Sequence, residues 1–140
     1  MMNQSLCDAF IKICTEHYHD VYNKGMTEKN KDFYGTPPES MIIAFGLSQN
    51  SDDWKPLTVK EAVFRYSSQG LLPVPPDTAA DQTEIRMYCK EAYAELCYQE
   101  NGIAYMMIQF GKRYARCYRY DIVTSEDGIH LVNEQLLWVT

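Results

Sequence analysis

The most titratable stretch of the chain is EHYHD, residues 16–20. Its two imidazoles and two carboxylates could bind a metal ion or transfer protons. On a helix, however, side chains two positions apart point about 200° away from each other, so His17 and His19 cannot hold one ion together. Cys14 and His17 could share zinc with a distant Cys89, but no second ligand pair has a recognisable spacing. We therefore expect no metal and no cofactor, with His17 at the edge of the core and His19 in solvent.

No other pattern typical of catalysis is present. The chain lacks the G-x-S-x-G nucleophile turn and both glycine-rich phosphate-binding motifs, and no cysteine has a sequence context that would activate it. The sequence therefore favours a protein that is not an enzyme. The alternative is a small enzyme or ligand-binding domain whose site is assembled only in the fold, from His17, a cysteine and a carboxylate.

An acidic stripe is the first candidate binding surface. It lies on a predicted long helix, about Asp77–Asn101, beside an apolar face of the same helix. Its members are Asp77, Glu84, Tyr88, Glu91 and Glu95. Such a stripe suits a basic protein partner, because charge complementarity speeds encounter and tyrosine is a favoured anchor at interfaces.

A basic and aromatic segment is the second candidate surface. Arginines and tyrosines alternate in a predicted hairpin, and this set comprises Arg113, Arg116, Tyr118 and Arg119. Arginine and aromatic side chains on strands can stack on single-stranded nucleic acid. The net charge of −6 disfavours that alternative, because phosphate contacts need a cationic surface.

Composition limits the class of protein. The 140 residues fit one domain, residues 1–140, and a chain with 46% hydrophobic and 13% aromatic residues is not disordered. The five cysteines are an odd number without regular spacing, which indicates free thiols. We see no secretory signal and no apolar run of the roughly 20 residues that a membrane helix needs. The sequence predicts a cytoplasmic protein that does not contact membranes.

Periodicity and turn signals give the element order. We predict a helix about Asn3–Lys24, a buried strand Met41–Leu47, a helix from the capping box Thr58–Glu61 to Gly70, the long helix, a hairpin of Ile103–Phe110 and Tyr114–Val123, and a last strand from Ile129 to Val139. Asn101-Gly102 leaves one alternative open. It can end the long helix, or it can be a hairpin turn that makes Tyr93–Glu100 a strand.

The predicted fold class is α+β. The C-terminal meander and the Met41–Leu47 strand would form an antiparallel sheet of about four strands, covered on one face by about three helices. For such a domain the sequence favours a small acidic protein-binding protein, an inhibitor of the immunity, antitoxin or anti-defence type that occludes a basic surface. The third alternative is a structural or homodimeric subunit, which would leave apolar residues uncovered on the Met106/Met107 strand or the terminal strand.

Overall fold

The computed structural model of the protein describes residues 4–20, 40–48, 58–75, 92–99, 101–110 and 114–139. Within these ranges the chain forms one helix and seven strands. They are α1 (Gln4–His19), β1 (Ser40–Ser48), β2 (Thr58–Ser67), β3 (Gly70–Val74), β4 (Ala92–Tyr98), β5 (Ile103–Phe110), β6 (Tyr114–Ser125) and β7 (Gly128–Val139).

The strands of these ranges form one mixed sheet in the order β3-β2-β1-β4-β5-β6-β7. Strands β1 and β4 run parallel, and every other neighbouring pair is antiparallel. A parallel pair needs a long crossover, and the β2–β3 hairpin lies within that crossover in the chain. Strands β3 and β7 are the two edges.

Helix α1 packs on one face of the sheet. Leu6, Phe10 and Cys14 recur every four residues, so they share one helix face, and all three are buried. They join a core cluster with alternate residues of the central strands, among them Met41, Ile43, Phe45, Leu96, Met106, Tyr118 and Tyr120. This core fixes α1 against the sheet.

The central strand β1 is buried on both faces. Met41 and Ile43 face α1, whereas Ile42 and Ala44 form a second cluster with Val63 and Tyr93 on the opposite face. Its sequence MIIAFGL is therefore apolar throughout instead of alternating, as strands with two covered faces are. The predicted strand Met41–Leu47 in the middle of a sheet is confirmed.

The predicted α+β fold, with about four strands under about three helices, is wrong. The described residues contain one helix and a seven-stranded sheet. The largest correction concerns the helix predicted from Thr58 to Gly70, which is strand β2 and its hairpin turn to β3. Gly70 has a φ of 99°, so its positive φ closes a hairpin turn instead of a helix.

The second correction concerns the long helix. Its described part, Ala92–Tyr98, is strand β4, while residues 77–91 lie outside the described residues. The amide of Gly102, with a φ of 87°, donates to the Gln99 carbonyl at 3.3 Å, so Asn101-Gly102 belongs to a hairpin turn. The alternative strand from Tyr93 was thus the right one.

The remaining elements agree better with the predictions. Helix α1 lies within the predicted helix Asn3–Lys24, of which Asn3 and residues 21–24 are outside the described residues, and the meander β5-β6-β7 lies where the strand and turn signals placed it. Strand β3 contains Pro73. Its proline is tolerated there because β3 is an edge strand, where a missing amide proton costs no ladder bond.

Candidate functional site

A bulge between β6 and β7 directs one carboxylate toward the helix. The register of the pair shifts between Arg119 and Asp121, and opposite this shift Asn133 has a φ of 56°. Asparagine is one of the few residues that adopt positive φ readily, and here its Nδ2 donates to Asp121 Oδ2 at 2.8 Å. Bulges commonly re-aim a neighbouring side chain. Here the neighbour is Glu134.

Glu134 joins α1 to the sheet through one oxygen. Its Oε2 lies 2.8 Å from His17 Nε2 and accepts a hydrogen bond of 2.7 Å from the Tyr120 hydroxyl. The His17 ring also packs against Tyr118, with 4.6 Å between the ring centroids. The His17 side chain is 18% exposed and that of Glu134 44%, so the contact lies at the boundary between core and solvent.

Tyr120 is the buried member of the cluster formed by His17, Glu134 and Tyr120, and its phenol stays protonated near neutral pH. Tyr120 is 1% exposed, and burial, followed by the hydrogen bond to Glu134 and its charge, raises the pKa of the phenol far above its usual range. Tyr120 is therefore a hydrogen-bond donor near neutral pH and not an acid. The other histidine of the stretch lies apart, with His19 Nε2 2.9 Å from the Tyr66 hydroxyl of β2. His17 and His19 thus reach different strands.

The two cysteines of α1 are not activated. Burial raises the pKa of Cys14, whose Sγ donates weakly to Met41 Sδ at 3.7 Å. Burial first, then the charges of Asp8 and Glu61, raises the pKa of Cys7 to about 11. A thiol nucleophile needs the opposite shift. Among the described residues, His17 lies beside the Glu134 carboxylate, and the two thiols of α1 have raised pKa values. In the ranges given above, no group of three or more metal-ligating side chains converges.

A groove of about 460 Å³ runs between α1 and the first half of β7. Its lining includes the apolar side chains of Ile13 on the helix and of Ile129 and Leu131 on the strand. It also includes the carboxylates of Asp8 and Glu16 on the helix and of Asp127 in the β6–β7 turn, together with Lys12 and His130. Asp8, Lys12 and Glu16 repeat every four residues and so share one helix face. This lining can accommodate a few apolar and cationic side chains of a partner.

The acidic stripe does not lie on one helix. Glu95 is in β4, half-buried, and its Oε2 accepts a 2.6 Å hydrogen bond from Tyr93 on the same face of the sheet. The other members of the stripe, Asp77, Glu84, Tyr88 and Glu91, lie outside the described residues. The loss of Glu95 from the helix follows from the hairpin turn at Gly102.

The described residues of the arginine and tyrosine set do not form one surface. Arg116 and Tyr118 share the helix side of β6, where Arg116 Nη1 donates to the Tyr118 hydroxyl at 3.1 Å. Arg119 follows Tyr118 by one position and Arg116 by three, so its side chain points to the opposite face of the sheet. Arg113 lies outside the described residues. Tyr118 is buried and therefore offers no free face for stacking on a base.

Comparisons of the chain with models of protein families, with curated proteins and with solved structures each found no match. The one helix in the described ranges, α1, lacks the length and apolar character needed to cross a membrane. The candidate site must therefore be interpreted from its own geometry.

Sequence reasoning missed the groove and the contact of Glu134. One signal for the groove was present, because Asp8, Lys12 and Glu16 follow helical spacing on the polar face of α1. The contact between His17 and Glu134 joins residues 117 positions apart. Only the asparagine within the apolar pattern of β7 hinted at an irregularity there.

Proposed function

We propose that this protein binds another protein and covers a basic surface on it, in the manner of an immunity, antitoxin or anti-defence inhibitor, and that it does so in the cytoplasm. The observation that carries the proposal is the groove between α1 and β7, which is lined both by the carboxylates of Asp8, Glu16 and Asp127 and by apolar side chains. Proteins that bind by occlusion need such a surface and no catalytic residues.

Lysine and arginine side chains suit both parts of this groove. Their aliphatic stems can pack on Ile13, Ile129 and Leu131 while their cationic heads reach the carboxylates. Lys12, in the middle of the helix face, lowers the local negative charge and favours cations toward the two ends. The net charge of −6 adds long-range attraction for a basic partner.

Two further observations support a cytoplasmic binding protein. Every cysteine in the described ranges is a free thiol, as is usual in a reducing compartment. The thiols of Cys7 and Cys14 are buried with raised pKa values, and Tyr120 keeps its proton. Tyr120 and Cys14, which interact with this cluster, thus favour a structural role for the His17–Glu134 contact.

The test begins with capture of partners from the native host and their identification by mass spectrometry. The dissociation constant of each purified partner is then measured by biolayer interferometry. We expect the double variant Asp8→Lys/Glu16→Lys to weaken binding about 30-fold, since two attractive contacts become repulsive. Asp20→Lys/Glu126→Lys is the matched control, because it makes the same change of net charge at exposed positions outside the groove.

The outcome separates the groove from the stripe. If Asp20→Lys/Glu126→Lys weakens binding as much as Asp8→Lys/Glu16→Lys, the partner is attracted only by net charge. The groove is then not the docking site. If the groove variant binds normally and the double variant Glu84→Lys/Glu91→Lys does not, the partner docks at the residues of the predicted stripe. A purified partner with an acidic contact surface would contradict the proposal as a whole.

A further inference from the structure

The two edge strands of the described sheet differ in how they are protected. Strand β3 has five residues, includes Pro73 and is followed by Pro75, and proline on an edge discourages pairing with another strand. Strand β7 has twelve residues and neither proline nor lysine. It pairs with β6 on one side, and no strand in the described ranges pairs with its other side.

The second half of β7 also exposes apolar side chains. Leu136 is 50% exposed and Val139 47% exposed. The register with β6 places Leu136 opposite Tyr118 and Val139 opposite Arg116, so both lie on the helix side of the sheet. Both follow Glu134 in β7. Glu134 contacts His17, which is near the C-terminal end of α1. The result is an apolar patch at an edge without proline or lysine, although two register shifts, near Glu134 and at Leu137, make this half of β7 irregular.

We propose that β7 is the interface of a homodimer, in which the second halves of two β7 strands pair antiparallel about a two-fold axis near Leu136. Pairing of this kind uses the same strand of both copies, and it would cover Leu136 and Val139 of each.

The local charges at this edge are compatible with a second copy as the occupant, although the whole chain is acidic. Two chains of net charge −6 repel each other, and they approach best where the surface is neutral. From Gln135 to Val139 no side chain is ionisable. Antiparallel pairing also brings the Glu134 end of one strand beside the Val139 end of the other, where Arg116 is the neighbour on β6. The two ends are thus complementary. The groove adjoins the first half of β7 and stays open in this arrangement.

Sedimentation velocity of the purified chain tests this proposal. Between about 1 and about 100 µM, we expect the mean mass to rise from that of one 16.3 kDa chain toward twice that value. Leu136→Lys should raise the dissociation constant of the dimer at least about tenfold. Leu72→Lys on β3 is the matched control, because Leu72 is also 50% exposed on an edge strand, and it should leave the constant unchanged.

Hydrogen exchange of the unmodified chain at the two ends of that concentration range gives a second reading that needs no variant. Peptides from the second half of β7 should exchange more slowly at high concentration, and peptides from β3 should not change. A chain that stays monomeric throughout overturns the proposal. So does a dimer that Leu72→Lys weakens as much as Leu136→Lys, or one whose β7 exchanges at the same rate at both concentrations.

Discussion

Replacing Tyr120 by phenylalanine removes one hydroxyl from the centre of the contact between α1 and the sheet. The ring is 1% exposed and its hydroxyl donates to Glu134 at 2.7 Å. A hydrogen bond to a charged group contributes about 1.5–3 kcal/mol. Because Glu134 is 44% exposed, water can replace the lost donor, so we expect Tyr120→Phe to cost about 1–2 kcal/mol at pH 7.

The effect should depend on pH in a definite direction. Burial raises the pKa of Tyr120 in the folded state, whereas the unfolded phenol ionises near pH 10. The buried phenol contributes fully to the free energy of unfolding below about pH 10. Above that pH its contribution falls by about 1.4 kcal/mol per pH unit. Phenylalanine cannot ionise. At pH 11 the variant and the wild type should therefore be nearly equal in stability.

Urea denaturation at pH 7, 9, 10 and 11, followed by circular dichroism, measures both stabilities. Glu134→Gln is the comparison variant, because its amide oxygen still accepts the hydrogen bond. Burial is the first cause of the raised pKa of Tyr120. Glu134→Gln should therefore show most of the loss of stability that the wild type shows above pH 10. A stability difference between Tyr120→Phe and the wild type that is the same at pH 7 and pH 11 would refute this reasoning.

Two further predictions concern the same face of α1. Cys7 is buried with a pKa of about 11, so at pH 8 only about a thousandth of it is thiolate, and it should react with a thiol reagent only after urea is added; rapid reaction in the native state would contradict its burial. Phe10→Ala leaves a cavity under the helix and should cost about 3–5 kcal/mol by urea denaturation, while Lys12→Ala on the exposed face should change stability by less than about 0.5 kcal/mol; a smaller cost for Phe10 would mean that α1 is not held to the core.

The sequence predicted those elements whose periodicity is undisturbed. Leu6, Phe10 and Cys14 follow helical spacing because one face of α1 is covered and the other is not. In β2 the register with β1 skips Glu61, since Ala62 lies opposite Phe45 and Lys60 lies opposite Gly46. That bulge breaks the two-residue alternation, and the capping-box spacing of Thr58 and Glu61 then favoured a helix.

Strand β4 was predicted only as the alternative to the long helix, for a different reason. Ala94 and Leu96 are buried on the helix side and Tyr93 and Cys97 on the other, so an alternating pattern cannot appear. The contact of Glu134 with His17 and Tyr120 depends on a bulge and on the docking of α1, and both are tertiary features. Of the candidate site, only the polar face of α1, which forms one wall of the groove, could be predicted from local spacing.

Hydrogen exchange of the complex with a captured partner tests the central proposal most directly. The groove proposal predicts slower exchange in α1 and in the segment from Asp127 to Leu131, with β3 unchanged as the internal control. A complex that protects residues 77–95 and leaves α1 and the start of β7 unchanged would contradict it.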